Sequence, residues 1–223
     1  MTAVFKFGLV ADMQYANIDD GYNWNKTKKR YYRNAICLLQ KAMKEWRQYD
    51  VRFILQLGDM IDGFCKQTEN PDVCLDRVLD IFEQETWPVL NVVGNHELYN
   101  FPKDKLYTSR LFKTLPLTNK AYYVVEPHPG IKICALNTYE ISTLGTTIDT
   151  PEYKQASEFL RVNPNDDKND PEGLIGVKRR FVRFNGAVST QQIDWLKEEL
   201  SSAKQQKQNV IVIGKCLNRQ STN

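Results

Sequence analysis

The chain of 223 residues has no long apolar run, no paired-cysteine motif and no surplus of one charge, and each absence removes a class of function. A bilayer-spanning helix needs about 20 consecutive apolar residues, and no segment comes near that length. The opening stretch, Met1 to Ala11, is apolar only briefly and is interrupted by Lys6. It lacks a charged leader and a small-residue cleavage site, so it does not read as a secretory signal. The five cysteines, Cys37, Cys65, Cys74, Cys134 and Cys216, stand at irregular spacings with no CxxC pair. That argues against a disulfide scaffold or a zinc knuckle and predicts free thiols in a reducing, cytoplasmic setting. Thirty basic residues against 27 acidic ones leave a net charge of +3, which gives no general reason to bind nucleic acid or an anionic membrane. The one basic cluster, Lys178-Arg179-Arg180 with Arg183, reads as a solvated loop face.

What is present is ordinary for one soluble domain: 42% hydrophobic and 26% charged residues. Val4 to Asp12 reads as a buried strand, Lys26 to Arg47 as a helix, Arg52 to Leu57 as a strand, Asp72 to Glu85 as a helix and Pro88 to Val93 as a third strand. The first helix places Tyr32, Ala35, Ile36, Leu39, Met43 and Trp46 on one face. Strand, helix, strand, helix, strand predicts an α/β sheet covered by helices. Farther on, Ala121 to Val125 and Lys132 to Leu136 read as a hairpin turned at Pro129-Gly130. Glu152 to Leu160 is a short helix and Arg161 to Glu172 a polar loop. Ser189 to Gln206 is a helix opened by a Ser189/Gln192 capping box, with Ile193, Leu196 and Leu200 on its apolar face. Asn209 to Ile213 closes the pattern as a strand.

Each of the first three strands ends in a polar motif: Asp12-Met13-Gln14, Gly58-Asp59-Met60-Ile61-Asp62 and Gly94-Asn95-His96-Glu97. In α/β sheets, ligands gather where strands give way to loops at their carboxyl ends. Carboxylate, amide carbonyl and imidazole are donors for Mn²⁺, Mg²⁺, Fe²⁺ or Zn²⁺, and a carboxylate can bridge two such ions. Any one motif alone is common turn chemistry. All three in order, each after a strand, point to a metal centre. Tyr15, Tyr99 and Phe101 flank these motifs and are read as packing residues. His128, in the hairpin turn, is read as a surface residue.

The series D-x-(H/Q), GDxxD, GNHE resembles the front half of the calcineurin-like metallophosphoesterase signature. The glutamine of Asp12-Met13-Gln14-Tyr15, the run Gly94 to Phe101 and Phe184-Asn185-Gly186 before the Gln192/Trp195/Leu196 helix narrow the likeness to the manganese-dependent ADP-ribose/CDP-alcohol diphosphatases. The resemblance, from Phe5 to about Ile213, implies an α/β/β/α sandwich with a mixed sheet and a centre of two divalent ions, Mn²⁺ first, with Mg²⁺ or Zn²⁺ as alternatives. It implies that Asp12 and Gln14 hold one ion, Asp59 bridges, and Asn95 holds the other. His96 would face the scissile phosphate, its ring oriented by Asp62. The implied reaction is hydrolysis of a phosphoric anhydride in ADP-ribose, CDP-choline, CDP-ethanolamine or CDP-glycerol through a metal-bridging hydroxide. The agent would be a cytoplasmic monomer that binds neither nucleic acid nor membrane. A phosphomonoesterase or phosphodiesterase of the same fold is the alternative enzyme.

The chain departs from the pattern at its end. The resemblance calls for a histidine after a late strand and then Gly-His-x-His, but the only histidines are His96 and His128. After Ile213 the sequence runs Gly214-Lys215-Cys216-Leu217 and stays polar to Asn223. The expectation is an incomplete domain over 1–213 with a divergent tail over 214–223, from a truncated or alternative C-terminus. Reduced stability and impaired catalysis follow from that expectation, with a non-catalytic form as the competing reading.

Overall fold

Apolar strands that end in polar motifs need hydrogen-bond partners, and the first three pair with one another, although the first, expected to be buried, lies at the edge with Leu9 57% exposed. The computed structural model describes residues 6–23, 26–68, 70–118 and 120–215. Among these, β1 (Lys6–Val10), β4 (Val51–Gln56) and β5 (Val89–Asn91) form a parallel sheet in the order β1-β4-β5. Between them lie a short ribbon of β2 (Gly21–Tyr22) and β3 (Lys29–Arg30), then α1 (Asn34–Gln48), α2 (Cys65–Thr68) and α3 (Pro71–Phe82). Next come α4 (Asn95–Asn100) and α5 (Lys103–Tyr107). The hairpin of β6 (Tyr123–His128) and β7 (Ile131–Ala135) turns at Gly130, whose φ of +82° suits glycine. After α6 (Pro151–Phe159) and α7 (Thr190–Gln205), β8 (Asn209–Ile213) pairs parallel to β7, so the second sheet is mixed, in the order β6-β7-β8.

Helix α1 packs on the first sheet, its Trp46 ring 2.9 Å from where a Cβ on Gly8 would stand. Helix α3 lies beside α1, and α7 packs on β7 and β8. Residues of both sheets, among them Phe53, Ile54, Leu90, Tyr123, Ile133 and Ile213, share one buried cluster. The Tyr123 hydroxyl also donates to the Asn91 carbonyl at 2.8 Å, tying the sheets together. The result is the expected α/β/β/α sandwich.

Two local expectations fail for identifiable reasons. The first helix starts at Asn34, not Lys26, because the segment before it has better local bonds. The Asn23 side chain accepts the Lys28 N–H at 2.8 Å, and Lys26 sits at φ +54°. Arg33 is held by Asn17 at 2.9 Å and Asp19 at 2.6 Å. Side-chain bonds of this kind compete directly with helix formation. At the other end, Ser189 does cap α7 by accepting the Gln192 N–H at 3.1 Å. The Gln192 side chain, however, does not reach back. It is fully buried and bonds the Asn137 N–H and carbonyl and the Glu140 carboxylate. The face of α7 turned inward therefore carries Gln192 and Ala203, and leaves Ile193 and Leu200 exposed at 37% and 40%.

Pro71 opens α3, with Asn70 accepting the Asp72 N–H at 3.0 Å. Four of the five cysteines lie in the described residues, and none of these four is in a disulfide. No described helix is long and apolar enough to cross a membrane.

Adjacent leucines on α1 test its packing. Leu39 is 2% exposed and Leu38 58%. In denaturant unfolding, Leu39→Ala is expected to cost about 2–5 kcal/mol and Leu38→Ala under about 0.5 kcal/mol. Equal costs would mean the helix buries a different face.

Candidate metal centre

Where β1, β4 and β5 end, the backbone turns sharply, and three of the residues named from sequence take the left-handed conformation. Asp12, Gln14 and Asp59 have φ of +54°, +47° and +58°. Such angles cost a residue with a Cβ about 1–2 kcal/mol and persist only where the surroundings impose them. Here the loops impose them on each other. The N–H groups of Asp12, Gln14 and Tyr15 bond the carbonyls of Gly58, Asp59 and Met60 at 3.1, 2.8 and 2.9 Å.

Glu97 fixes the third loop to the second. Its Oε2 accepts the N–H groups of Asp59 and Gly94 at 2.8 and 2.9 Å, and its Oε1 those of Met60 and Ile61 at 2.6 and 3.3 Å. Burial, followed by the Asp59 carboxylate, pushes Glu97 up to about 7. Yet both oxygens already accept N–H bonds, which leaves neither with room for a proton and keeps the group a carboxylate.

The close approach of the loops depends on glycine. A Cβ on Gly58, at φ +85°, would meet the Gly94 nitrogen at 2.8 Å. One on Gly94 would fall 2.0 Å from Asp59 Oδ1. Gly94 has an extended backbone (φ −106°, ψ −179°) that any residue adopts, so space alone requires glycine there.

With the loops set, the side chains converge. Asp59 is buried; its Oδ1 accepts the His96 N–H at 3.0 Å, while its Oδ2 is met by the Lys215 ammonium at 3.1 Å. Gln14 is buried, and its Oε1 has no partner. Asn95 is gripped between two tyrosines: its amide donates to Tyr99 Oη at 3.1 Å, and its oxygen faces Tyr139 Oη at 3.4 Å. Behind Tyr139 lies Gly186 of the Phe184-Asn185-Gly186 motif, where a Cβ would meet the Thr138 carbonyl at 2.4 Å.

His96 Nδ1 has two neighbours. The Gly63 N–H points at it from 3.1 Å, and Asp62 Oδ2 lies at 3.4 Å. A neutral ring accepts from Gly63 and carries its proton on Nε2; a protonated ring donates Nδ1–H to Asp62. Burial lowers the imidazole pKa, but Asp62, Asp59 and Glu97 outweigh it and hold His96 above its ordinary value. Asp62 also accepts the Phe64 N–H at 3.0 Å through Oδ1, so it is a turn cap and a ring partner at once. Tyr99, read from sequence as a packing residue, is 36% exposed and stands edge-on to His96 with ring centroids 5.3 Å apart. Tyr15 and Phe101 are buried as expected.

Of the six residues named from sequence, Asp12 and Asp59 share the Lys215 ammonium, Asp59 accepts the His96 N–H and His96 faces Asp62, while Gln14 and Asn95 stand on the same strand-end loops; among the described residues no three His, Cys, Asp or Glu side chains cluster as a metal site. Sequence reasoning missed the role of Glu97, although it stands in the quoted motif. It also missed Lys215, noted only as a departure from the pattern. Lys215 follows β8, is 7% exposed, and places Nζ 2.6 Å from Asp12 Oδ1 and 3.1 Å from Asp59 Oδ2. Burial opposes its charge, but Asp59 and Asp12 prevail and raise its pKa above the usual lysine value. The rest of the tail, residues 216–223, lies outside the described residues.

The paired sheets and their strand-end motifs define the class of this protein, and the chain belongs to the calcineurin-like phosphoesterase family, whose sequence model matches residues 5–219. It is 42% identical, over 94% of its length, to a manganese-dependent ADP-ribose/CDP-alcohol diphosphatase of Oryza sativa subsp. japonica, of which it spans 64%. To the protein of the same name from Bos taurus it is 36% identical, spanning 66% of that chain. The crystal structure of a dimetal phosphatase from Danio rerio matches with a TM-score of 0.90 at 35% identity, covering 95% of this chain and 69% of that one.

Two substitutions test how the loops are held. Gly94→Ala should cost about 1–3 kcal/mol through overpacking, with Asp59 displaced. Glu97→Gln keeps the shape but turns an NH₂ toward backbone donors, and should cost about 1–3 kcal/mol for each donor left without a partner. Thermal unfolding of both against the parent checks this; unchanged midpoints would mean the rim is not built around Glu97.

Proposed function

We propose that this chain hydrolyses a phosphoric anhydride bond in nucleoside-diphosphate conjugates of the ADP-ribose and CDP-alcohol type, with divalent metal as cofactor. One observation supports the reading: Asp12 and Asp59, from two strand ends, share one cation, and Asp59 also accepts the backbone N–H of His96 from a third. The names of the relatives at 42% and 36% identity add the substrate class and the manganese.

The donor chemistry fits a cation. Gln14 Oε1 is a buried oxygen without a hydrogen-bond partner, and the buried Asp59 Oδ2 is met by the Lys215 ammonium, so both oxygens stand where a positive charge or a donor satisfies them. Among the described residues, no three His, Cys, Asp or Glu side chains cluster as a metal site. On this reading the ligands would be Asp12, Asp59 and the amides of Gln14 and Asn95, an oxygen set that suits Mn²⁺ or Mg²⁺ better than Zn²⁺. When bound, such ions neutralise phosphoryl oxygens and activate water. On this reading Asp59 bridges, His96 stabilises charge on the phosphoryl group or protonates the leaving oxygen, and Asp62 orients its ring.

A second reading, nucleotide binding without turnover, is supported by the Lys215 ammonium between Asp12 and Asp59. Hydrolysis of ADP-ribose and CDP-choline at saturating Mn²⁺ separates the two. Turnover is expected, lowered at least about 100-fold by Asp59→Ala and by about 10²–10⁴ in His96→Ala. Nucleotide binding with no turnover above the Asp59→Ala blank favours the second reading.

A further inference from the structure

We propose that Lys215 is a built-in cation that occupies the metal position of this site, so that Mn²⁺ must displace its ammonium in order to bind. The inference rests on the rim being a cation site, as proposed above. The geometry is specific. Nζ stands 2.6 Å from Asp12 Oδ1 and 3.1 Å from Asp59 Oδ2, touching a carboxylate oxygen from each of two strand ends. The Asp59 oxygen it faces is the one that the His96 N–H does not use.

The lysine does not reach this place by chance of a long surface side chain. It is buried, and its own carbonyl accepts the Thr138 hydroxyl. The Gly214 before it packs against Thr138, where a Cβ would meet Cγ2 at 2.9 Å. Strand β8, hydrogen-bonded to β7 along its length, delivers both residues to the rim. A single ammonium can neutralise one carboxylate of the pair and supplies three donors. It carries half the charge of a divalent ion, so it leaves the carboxylate pair less fully neutralised than a metal would. The ammonium and the metal compete for the same two oxygens, and binding one excludes the other.

Mn²⁺ titration followed by electron paramagnetic resonance tests this on the full chain, with circular dichroism to confirm folding. Lys215→Met keeps the length and removes the charge, and should bind Mn²⁺ at least about tenfold more tightly than the parent. Lys215→Arg keeps the charge and should stay with the parent. Adding Asp59→Asn to Lys215→Met should abolish the gain. The thermal midpoint of Lys215→Met should fall without metal and recover with Mn²⁺, whereas the parent should respond less. Equal affinity in parent and Lys215→Met, or a gain in Lys215→Arg to match, overturns the role of Lys215 while leaving the cation site standing. No site-bound Mn²⁺ in any folded variant, Lys215→Met included, overturns both.

Discussion

Backbone N–H groups of Asp59, Met60, Ile61 and Gly94 converge on the buried carboxylate of Glu97. Parallel strands end with their loops side by side, and the loop donors there have lost water without gaining sheet partners. Leaving each unpaired would cost about 1–3 kcal/mol. One carboxylate, placed on the first turn of α4, answers for all of them and locks the second loop to the third. The positive φ of Asp59 and the glycine-to-glycine contact of Gly58 with Gly94 are the consequences. His96 is carried by the same short helix, so the clamp positions it as well.

That solution creates an electrostatic problem. Glu97 is an ionised group beside Asp59, with Asp12 and Asp62 at the same rim. Two like charges about 4 Å apart repel by about 4 kcal/mol at an effective dielectric of roughly 20. A shared cation relieves that repulsion. In this structure the cation is Lys215 for Asp12 and Asp59, and the imidazole of His96, when protonated, serves Asp62. The site is thus electrostatically arranged for positive charge whichever cation fills it.

Much of the fold was legible because periodicity and strand-end chemistry agree. The apolar face of α1, the hairpin at Gly130 and the alternation of strands and helices are as the sequence predicts, and Asp12, Asp59, His96 and Asp62 are linked at the strand ends. The misses share a cause. Lys26 to Arg33 carries a helical pattern, but Asn23, Asn17 and Asp19 bind its backbone and side chains locally. Gln192 stands where a capping box would use it, but a buried Glu140 and Asn137 offer stronger bonds. Glu97 looked like the tail of a motif because its partners are backbone N–H groups, which a sequence does not display. Lys215 looked like a loss because its role depends on where β8 ends in space.

The central claim is that the strand-end rim is a cation site in which Lys215 and a divalent ion exchange. Anomalous diffraction at the manganese edge, from crystals grown with Mn²⁺, tests it directly. The account predicts a peak bounded by Asp12, Gln14 and Asp59, with the Lys215 side chain swung away from both carboxylates. No peak at that rim, with Lys215 still paired to Asp12 and Asp59 at saturating Mn²⁺, would contradict it.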